Sequence, residues 1–559
     1  MRLAPLNRKT MDIQKGETFT VVFYWKSMAK GAAAFFITFI FLFHASVLFS
    51  EDQATRMSTF WQTVDEENNF LSFSARNEVS SFQEDENQRL DGILASGFDP
   101  ESCLSRYRFT SYHKRSSRSK PSPFLVSKLR DYENRHRRCG PHTEGYNRTV
   151  HKLDVSDNAS SSETGCSYVI WDGFNGLGNR MLSMASTFLY AVLTNRIMLV
   201  RNEPDMVDLF CEPFLGTSWL LPPDFPMQHK LSDFHYIHLN SYGTLLKNST
   251  KDTSTISPPP SSLFLYLSYD YDESDKLFYL DENQGFLRQV PWLILVSDQY
   301  FAPYLFTMRS FNEELDKLFP VKESTFHHLG RYLFHPSNQV WGLITRFFHA
   351  YLDNSDERIG LQIRVVDPKR SPSNLIIDQL LTCAERTGIL PPVDDHVDLS
   401  PHGTRNKSSK TILITSLDSV YYQTIQEVYL TKETLNGEIV RVHQPSHEEY
   451  QHFGDVNHNI KALADIYLLS TSDVLLTTSW STFGYVAQGL AGLTPWIMYV
   501  PQLDNPSPMR PCRRAISMDP CFHYPPYYDK QAGVKLEMNP LRSFHRYCED
   551  AEWGLKLVG

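Results

Sequence analysis

Arg364 stands near the carboxyl end of an apolar run, residues 359–366 (IGLQIRVV). A guanidinium there is costly unless an anion meets it. If the run is a parallel strand, its carboxyl end is where α/β folds bind ligands, and the planar fork suits two oxygens of a diphosphate. The rival reading is a structural ion pair with a nearby Asp or Glu. A second candidate is 479–484 (SWSTFG), which follows the strand-like 474–478 (VLLTT) and opens a helix. The free amides of that first turn (which includes Phe483), the hydroxyls of Ser479, Ser481 and Thr482, and the close approach that Gly484 permits could hold a phosphate. Plain N-capping by Ser481 would leave the same pattern.

Residues 172–180 (DGFNGLGNR) form a glycine loop between a strand, 166–171, and a buried helix, 181–194. Its glycine spacing does not match a dinucleotide fingerprint, and a tight strand–helix turn explains the glycines equally well. Asn179 and Arg180 add polar donors at the helix start. Asp298 follows the apolar run 292–296 (WLILV), where a carboxylate could take a proton from a substrate hydroxyl; a cap or turn aspartate is the alternative. Asp270-Tyr-Asp272 has the spacing that some glycosyltransferases use for a divalent ion. With Glu273 and Asp275 beside it, a solvated acidic turn is the simpler reading.

These residues need a scaffold. Strand, loop, helix and strand recur at 166–200 and again at 458–500, where apolar positions 460, 463, 466, 467 and 469 mark a helical stripe. Alternating strands and helices imply an α/β protein with two parallel-sheet lobes facing a cleft. The division expected is a cytosolic tail at 1–30, an anchor at 31–50, a stem and the start of the catalytic region at 51–120, one lobe at 121–345, a second at 346–510, and a Cys/Pro-rich tail at 511–559.

At 559 residues the chain has room for two to four domains of roughly 150 residues, and its 41% hydrophobic and 21% charged content exclude wholesale disorder. A net charge of −10 argues against a nucleic-acid partner. Residues 31–50 contain no Asp, Glu, Lys or Arg, enough helix to cross a bilayer, and the 30 residues before them carry six basic against two acidic side chains. The expected topology is a single-pass anchor with a cytosolic N-terminus. All eight cysteines (Cys103, Cys139, Cys166, Cys211, Cys383, Cys512, Cys521 and Cys548) follow the anchor and suggest disulfides in an oxidising lumen. Four glycosylation sequons, at Asn147, Asn158, Asn248 and Asn406, fall in polar stretches read as loops.

The chain resembles the plant xyloglucan fucosyltransferases, type II Golgi enzymes. The resemblance runs through 91–107, 128–143, 172–180, 359–366, 473–499 and 519–524 (DPCFHY). It implies a GT-B-type fold of two Rossmann-like lobes and inverting transfer of L-fucose from GDP-fucose to O2 of a galactose, with no bound metal or other cofactor. It assigns Arg364 to the diphosphate and 479–484 to the donor motif, joined by His458, Asn459 and Lys461. Asp298 becomes an acceptor-side base, and Asn179 and Arg180 match a loop of wider fucosyltransferases. The chain departs from the family at Val366 and Ala491. The acceptor stays open between xyloglucan, arabinogalactan proteins and other galactosides, as does association with a second copy or with other Golgi glycosyltransferases. A glycan-binding pseudoenzyme and a metal-dependent transferase using Asp270 and Asp272 are the alternative functions.

Overall fold

The computed structural model describes residues 91–114, 119–155, 165–233, 241–248, 258–394, 408–505, 510–527 and 540–559. All belong to one compact unit, Asn87–Gly559. The expected anchor at 31–50, most of the expected stem, Asn158 and Asn406 lie outside the described residues. Among the described residues no helix is long and apolar enough to cross a membrane.

The first lobe is built on four strands, β1 (Tyr168–Gly173), β2 (Ile197–Val200), β3 (Ser262–Tyr266) and β4 (Trp292–Ser297), in the order β2-β1-β4-β3. All pairings are parallel. β1, β2 and β4 are buried almost throughout, which is why they read as unbroken apolar runs instead of alternating ones. Between β1 and β2 runs α2 (Leu177–Thr194), closed by Asn195 in the left-handed conformation at φ 55°. Its predecessor α1 (Pro123–Cys139) is capped by Ser122, whose Oγ accepts from Leu125 N.

The second lobe carries six strands, β5 (Glu357–Gln362), β6 (Ser409–Thr415), β7 (Ile439–His443), β8 (Val474–Thr478), β9 (Trp496–Met498) and β10 (Cys512–Arg514), ordered β10-β9-β8-β5-β6-β7. Only the edge strand β10 runs antiparallel. Helices α5 (Ser373–Thr387) and α6 (Val420–Thr431) cover one face with a small core of their own. On the other face α7 (Val456–Ser470) and α8 (Thr482–Ala491) share one continuous core with α2, α3 (Thr325–Leu333) and α4 (Asn338–Phe347). Contact there is tight: a Cβ on Gly489 would lie 2.3 Å from Phe326 Cδ1, so a larger residue would force α8 off α3. Apolar packing thus fuses the lobes.

After β10 the chain returns to the first lobe. Tyr300 Oη donates to Asp519 Oδ1 (2.9 Å), Tyr271 Oη to the Tyr524 carbonyl (2.6 Å), and a hairpin of β11 (His545–Tyr547) and β12 (Leu555–Leu557) closes the chain. The cysteines pair as Cys103–Cys211, Cys139–Cys166, Cys383–Cys512 and Cys521–Cys548. Cys383–Cys512 ties α5 to the edge strand. Two sequons differ from the loop expectation: Asn147 lies within the helix Glu144–Val155 and Asn248 ends the helix Tyr242–Asn248. Both side chains are exposed; the buried Tyr146 and Thr149 give the first helix an inner face that a polar sequence concealed.

Candidate active site

A cleft of about 920 Å³ opens where the two lobes meet, lined by Gly176–Gly178 on one side and Arg364, Asp465, Thr482 and Phe483 on the other. β5 ends at Gln362, so Arg364 sits two residues beyond the strand rather than inside it. Its backbone N–H donates to Thr478 Oγ1 (3.0 Å) at the end of β8, which fixes the turn. The guanidinium meets only Gln451 Oε1, at 3.4 Å, and pairs with no carboxylate among the described residues. Burial pushes its pKa below the ordinary arginine value. The structural ion pair considered as its rival is therefore not formed here, and the cation faces the cleft without a counter-charge.

In the 479–484 turn the residues divide. Thr482 and Phe483 line the cleft, and their amides open α8 with no intrahelical acceptor. Ser481 is the N-cap, its Oγ accepting from Gly484 N at 3.4 Å. Ser479 N donates to the Met498 carbonyl (2.8 Å). Gly484 permits an approach, but its neighbour is protein: a Cβ there would stand 2.8 Å from Thr477 Cβ. Trp480 adopts φ 62°, a strained conformation for a bulky residue, with its N–H donating to Asp550 Oδ2 (2.9 Å). Its ring stacks on His523 at 4.5 Å and leads through Tyr524 to Tyr269, each step just over 6 Å.

The glycine loop joins this turn from the opposite lobe. A Cβ on Gly178 would lie 2.7 Å from the Thr482 carbonyl carbon, so only glycine lets the segments meet. Thr482 Oγ1 donates to Asn179 Oδ1 (2.9 Å), and Asn179 Nδ2 donates to the Asp298 carbonyl (3.1 Å). Asp298 follows β4 directly and is buried. Its Oδ2 accepts from Asn175 Nδ2 (2.7 Å), its Oδ1 from Gln299 Nε2 (2.8 Å) and Ser268 Oγ (3.1 Å). Burial raises its pKa, against the opposing pull of those donors. Sequence reasoning passed over Asn175; its left-handed φ of 67°, which asparagine tolerates, aims the amide at Asp298.

The remaining candidates have protein partners. Arg180 Nη1 and Asn459 Nδ2 converge on Asp205 Oδ2 at 2.7 and 3.0 Å. His458 Nδ1 lies 3.1 Å from Glu448 Oε2, and Lys461 Nζ bonds Glu448 Oε1. Asp205, Glu448 and Asp465 carried no candidate role in the sequence. Asp465 is buried on the cleft wall, bonded to Ser446 Oγ, and burial pushes its pKa up to about 7. A lone acid in the apolar helix 458–470 was the signal available. Asp270 and Asp272 are tied into a turn: Asp270 Oδ1 accepts from Tyr266 Oη (2.8 Å), Asp272 Oδ1 from the amides of Ser274 (2.8 Å) and Asp275 (3.0 Å), and Lys247 pairs with Asp272 Oδ2.

Residues 64–531 match the family model described as xyloglucan fucosyltransferase. A galactoside 2-alpha-L-fucosyltransferase of Arabidopsis thaliana is 45% identical over 100% of this chain and 99% of its own length. One from Pisum sativum is 50% identical over 84% of this chain and 82% of its own. The solved structure of an Arabidopsis thaliana FUT1 variant in complex with GDP is 48% identical, covers 84% of this chain and all of its own, and superposes with a TM-score of 0.77. On this evidence the chain belongs to the xyloglucan fucosyltransferase family.

Proposed function

We propose that this chain transfers L-fucose from GDP-fucose to O2 of a galactose residue on a plant cell-wall glycan, with inversion at the anomeric carbon. The observation that carries the reading is Arg364, a half-buried guanidinium in a two-lobed cleft with no carboxylate partner among the described residues. A diphosphate supplies the missing charge. As the fucosyl–oxygen bond breaks, negative charge grows on GDP, and fixed donors at that point stabilise the transition state more than the ground state. Arg364 and the first-turn amides of Thr482 and Phe483 are those donors, so no metal ion is required. Asp465 accepts from the N–H groups of guanine. Asp298, its proton affinity raised by burial and its orientation set by Asn175, Ser268 and Gln299, takes the proton from the galactose hydroxyl.

Xyloglucan is the acceptor this reading favours. The row Trp480–Tyr524–Tyr269 offers flat faces to successive pyranose rings, and Tyr269 borders Ser268, a donor to Asp298. The charge-free segment 31–50 with its basic flank supports a single-pass type II protein of the Golgi membrane, and four disulfides suit a lumenal catalytic part.

The test is the full-length protein in detergent, given GDP-fucose and a panel of galactosylated plant glycans, with and without EDTA. The expected product carries α-linked fucose on galactose O2, formed equally in both arms. Donor turnover with no galactoside in the panel would overturn the acceptor reading. Abolition by EDTA with rescue by Mn²⁺ would overturn the metal-free mechanism in favour of Asp270 and Asp272.

A further inference from the structure

Glu448 and His458 line the cleft, and His452 lies beside them. One ligand atom from each falls within 4.8 Å of the other two. His458 Nδ1 is 3.1 Å and His452 Nε2 3.8 Å from Glu448 Oε2. In a tetrahedral site with bonds of ~2.0–2.1 Å, adjacent ligand atoms stand ~3.3 Å apart, so the two separations from Glu448 already bracket that value and the two imidazoles have at most about 1.5 Å to close between them. Glu448 is positioned for this from behind: Lys461 holds Oε1 and leaves Oε2 to the imidazoles. The His452 ring lies 4.1 Å from that of Tyr450, tilted by 35°, and the backbone of His458 is fixed by the Asp455 cap at the start of α7.

We infer that Glu448, His452 and His458 form a reversible site for a zinc-type divalent cation at the mouth of the cleft, and that occupying it inhibits donor binding. Two imidazoles and one carboxylate suit Zn²⁺, Co²⁺ or Ni²⁺ rather than Mg²⁺ or Ca²⁺, and three protein ligands leave a fourth position open. The metal displaces the proton from His458 Nδ1, and a water completes its shell. The inhibitory consequence rests on the donor-binding role that the family resemblance gives His458, which lines the cleft: one imidazole cannot serve the metal and the nucleotide together.

The experiment uses full-length protein without a polyhistidine tag, as wild type and as His452→Gln. His452 does not line the cleft, so the variant should transfer fucose normally in chelated buffer. Calorimetry with zinc chloride and the visible d–d bands of added Co²⁺ report the site directly. The expected result is one zinc per chain in wild type, with affinity weakened in His452→Gln by at least the about 10–100-fold seen when a supporting group is lost. Zinc should lower GDP affinity in wild type and leave it unchanged in the variant. Equal zinc affinity in both proteins overturns the site. Zinc binding that depends on His452 but leaves GDP affinity unaltered overturns the inhibition and the donor role of His458 with it. A wild-type protein that binds cobalt tetrahedrally but no GDP upholds the metal site and overturns the donor reading instead.

Discussion

Just beyond a central strand each lobe carries a charge, Asp298 buried and Arg364 half-buried, and the two are treated in opposite ways. Beyond β4, Asp298 is satisfied by three side-chain donors from three segments. Beyond β5, Arg364 has one long contact to an amide oxygen and no anion among the described residues. A group that must keep its orientation and basicity is built into a network. A group that waits for a ligand's charge is left incomplete, because an internal partner would compete with that ligand. On the proposed function the contrast is a chemical division of labour: acceptor activation on one side, leaving-group stabilisation on the other.

Breaking the incomplete side should have the largest effect. In Arg364→Ala, turnover should fall ~10²–10³, by analogy with removal of one oxyanion donor, together with a loss of roughly 1.5–3 kcal/mol in GDP binding. Steady-state fucosyl transfer measures the combined loss. On the satisfied side, Asp298→Asn should lower turnover by about 10²–10⁴ and leave GDP affinity intact, a split between kcat and Kd that Arg364→Ala should not show. A base must be ionised to act, so the wild-type rate should fall as pH drops through the raised pKa of Asp298. The acid limb of the kcat/KM profile should lie above the usual carboxylate range. A limb at ordinary carboxylate pH would deny Asp298 that role.

Smaller effects sharpen the division. Asp465→Asn should remove a charge-assisted contact of roughly 1.5–3 kcal/mol and narrow the preference for GDP over ADP. Since the ionised carboxylate is the stronger acceptor for guanine's N–H groups, wild-type GDP affinity should weaken below a pH of about 7, where burial has placed Asp465. Gly178→Ala would drive a Cβ to 2.7 Å from the Thr482 backbone. It should cost about 1–3 kcal/mol in stability, seen as a lower Tm, and raise KM for the donor. Asp270→Ala with Asp272→Ala should leave turnover almost unchanged, since both carboxylates serve the turn.

The strands and the helices flanking the cleft were readable because parallel strands buried on both faces become apolar runs. Arg364 and Asp298 were readable for the complementary reason: a charge closing such a run is conspicuous. Asp205 and Glu448 could not be read, because their meaning comes from partners far along the chain: Asn459 reaches Asp205 only once the lobes pack. Gly484 was legible as a glycine but not as to what approaches it, which the register of α8 on β8 decides. Cysteine pairing was hidden likewise, since Cys383 and Cys512 are 129 residues apart and meet only at the sheet edge.

The measurement that bears most directly on the division of labour is GDP binding by calorimetry to wild type, Arg364→Ala and Arg364→Lys, with circular dichroism to show that each variant is folded. Lysine keeps the charge but lacks the planar fork that binds two oxygens at once. The account predicts GDP binding weakened roughly 10–150-fold in the alanine variant and nearly as much in the lysine variant. Wild-type GDP affinity in folded Arg364→Ala would contradict it and place the diphosphate elsewhere.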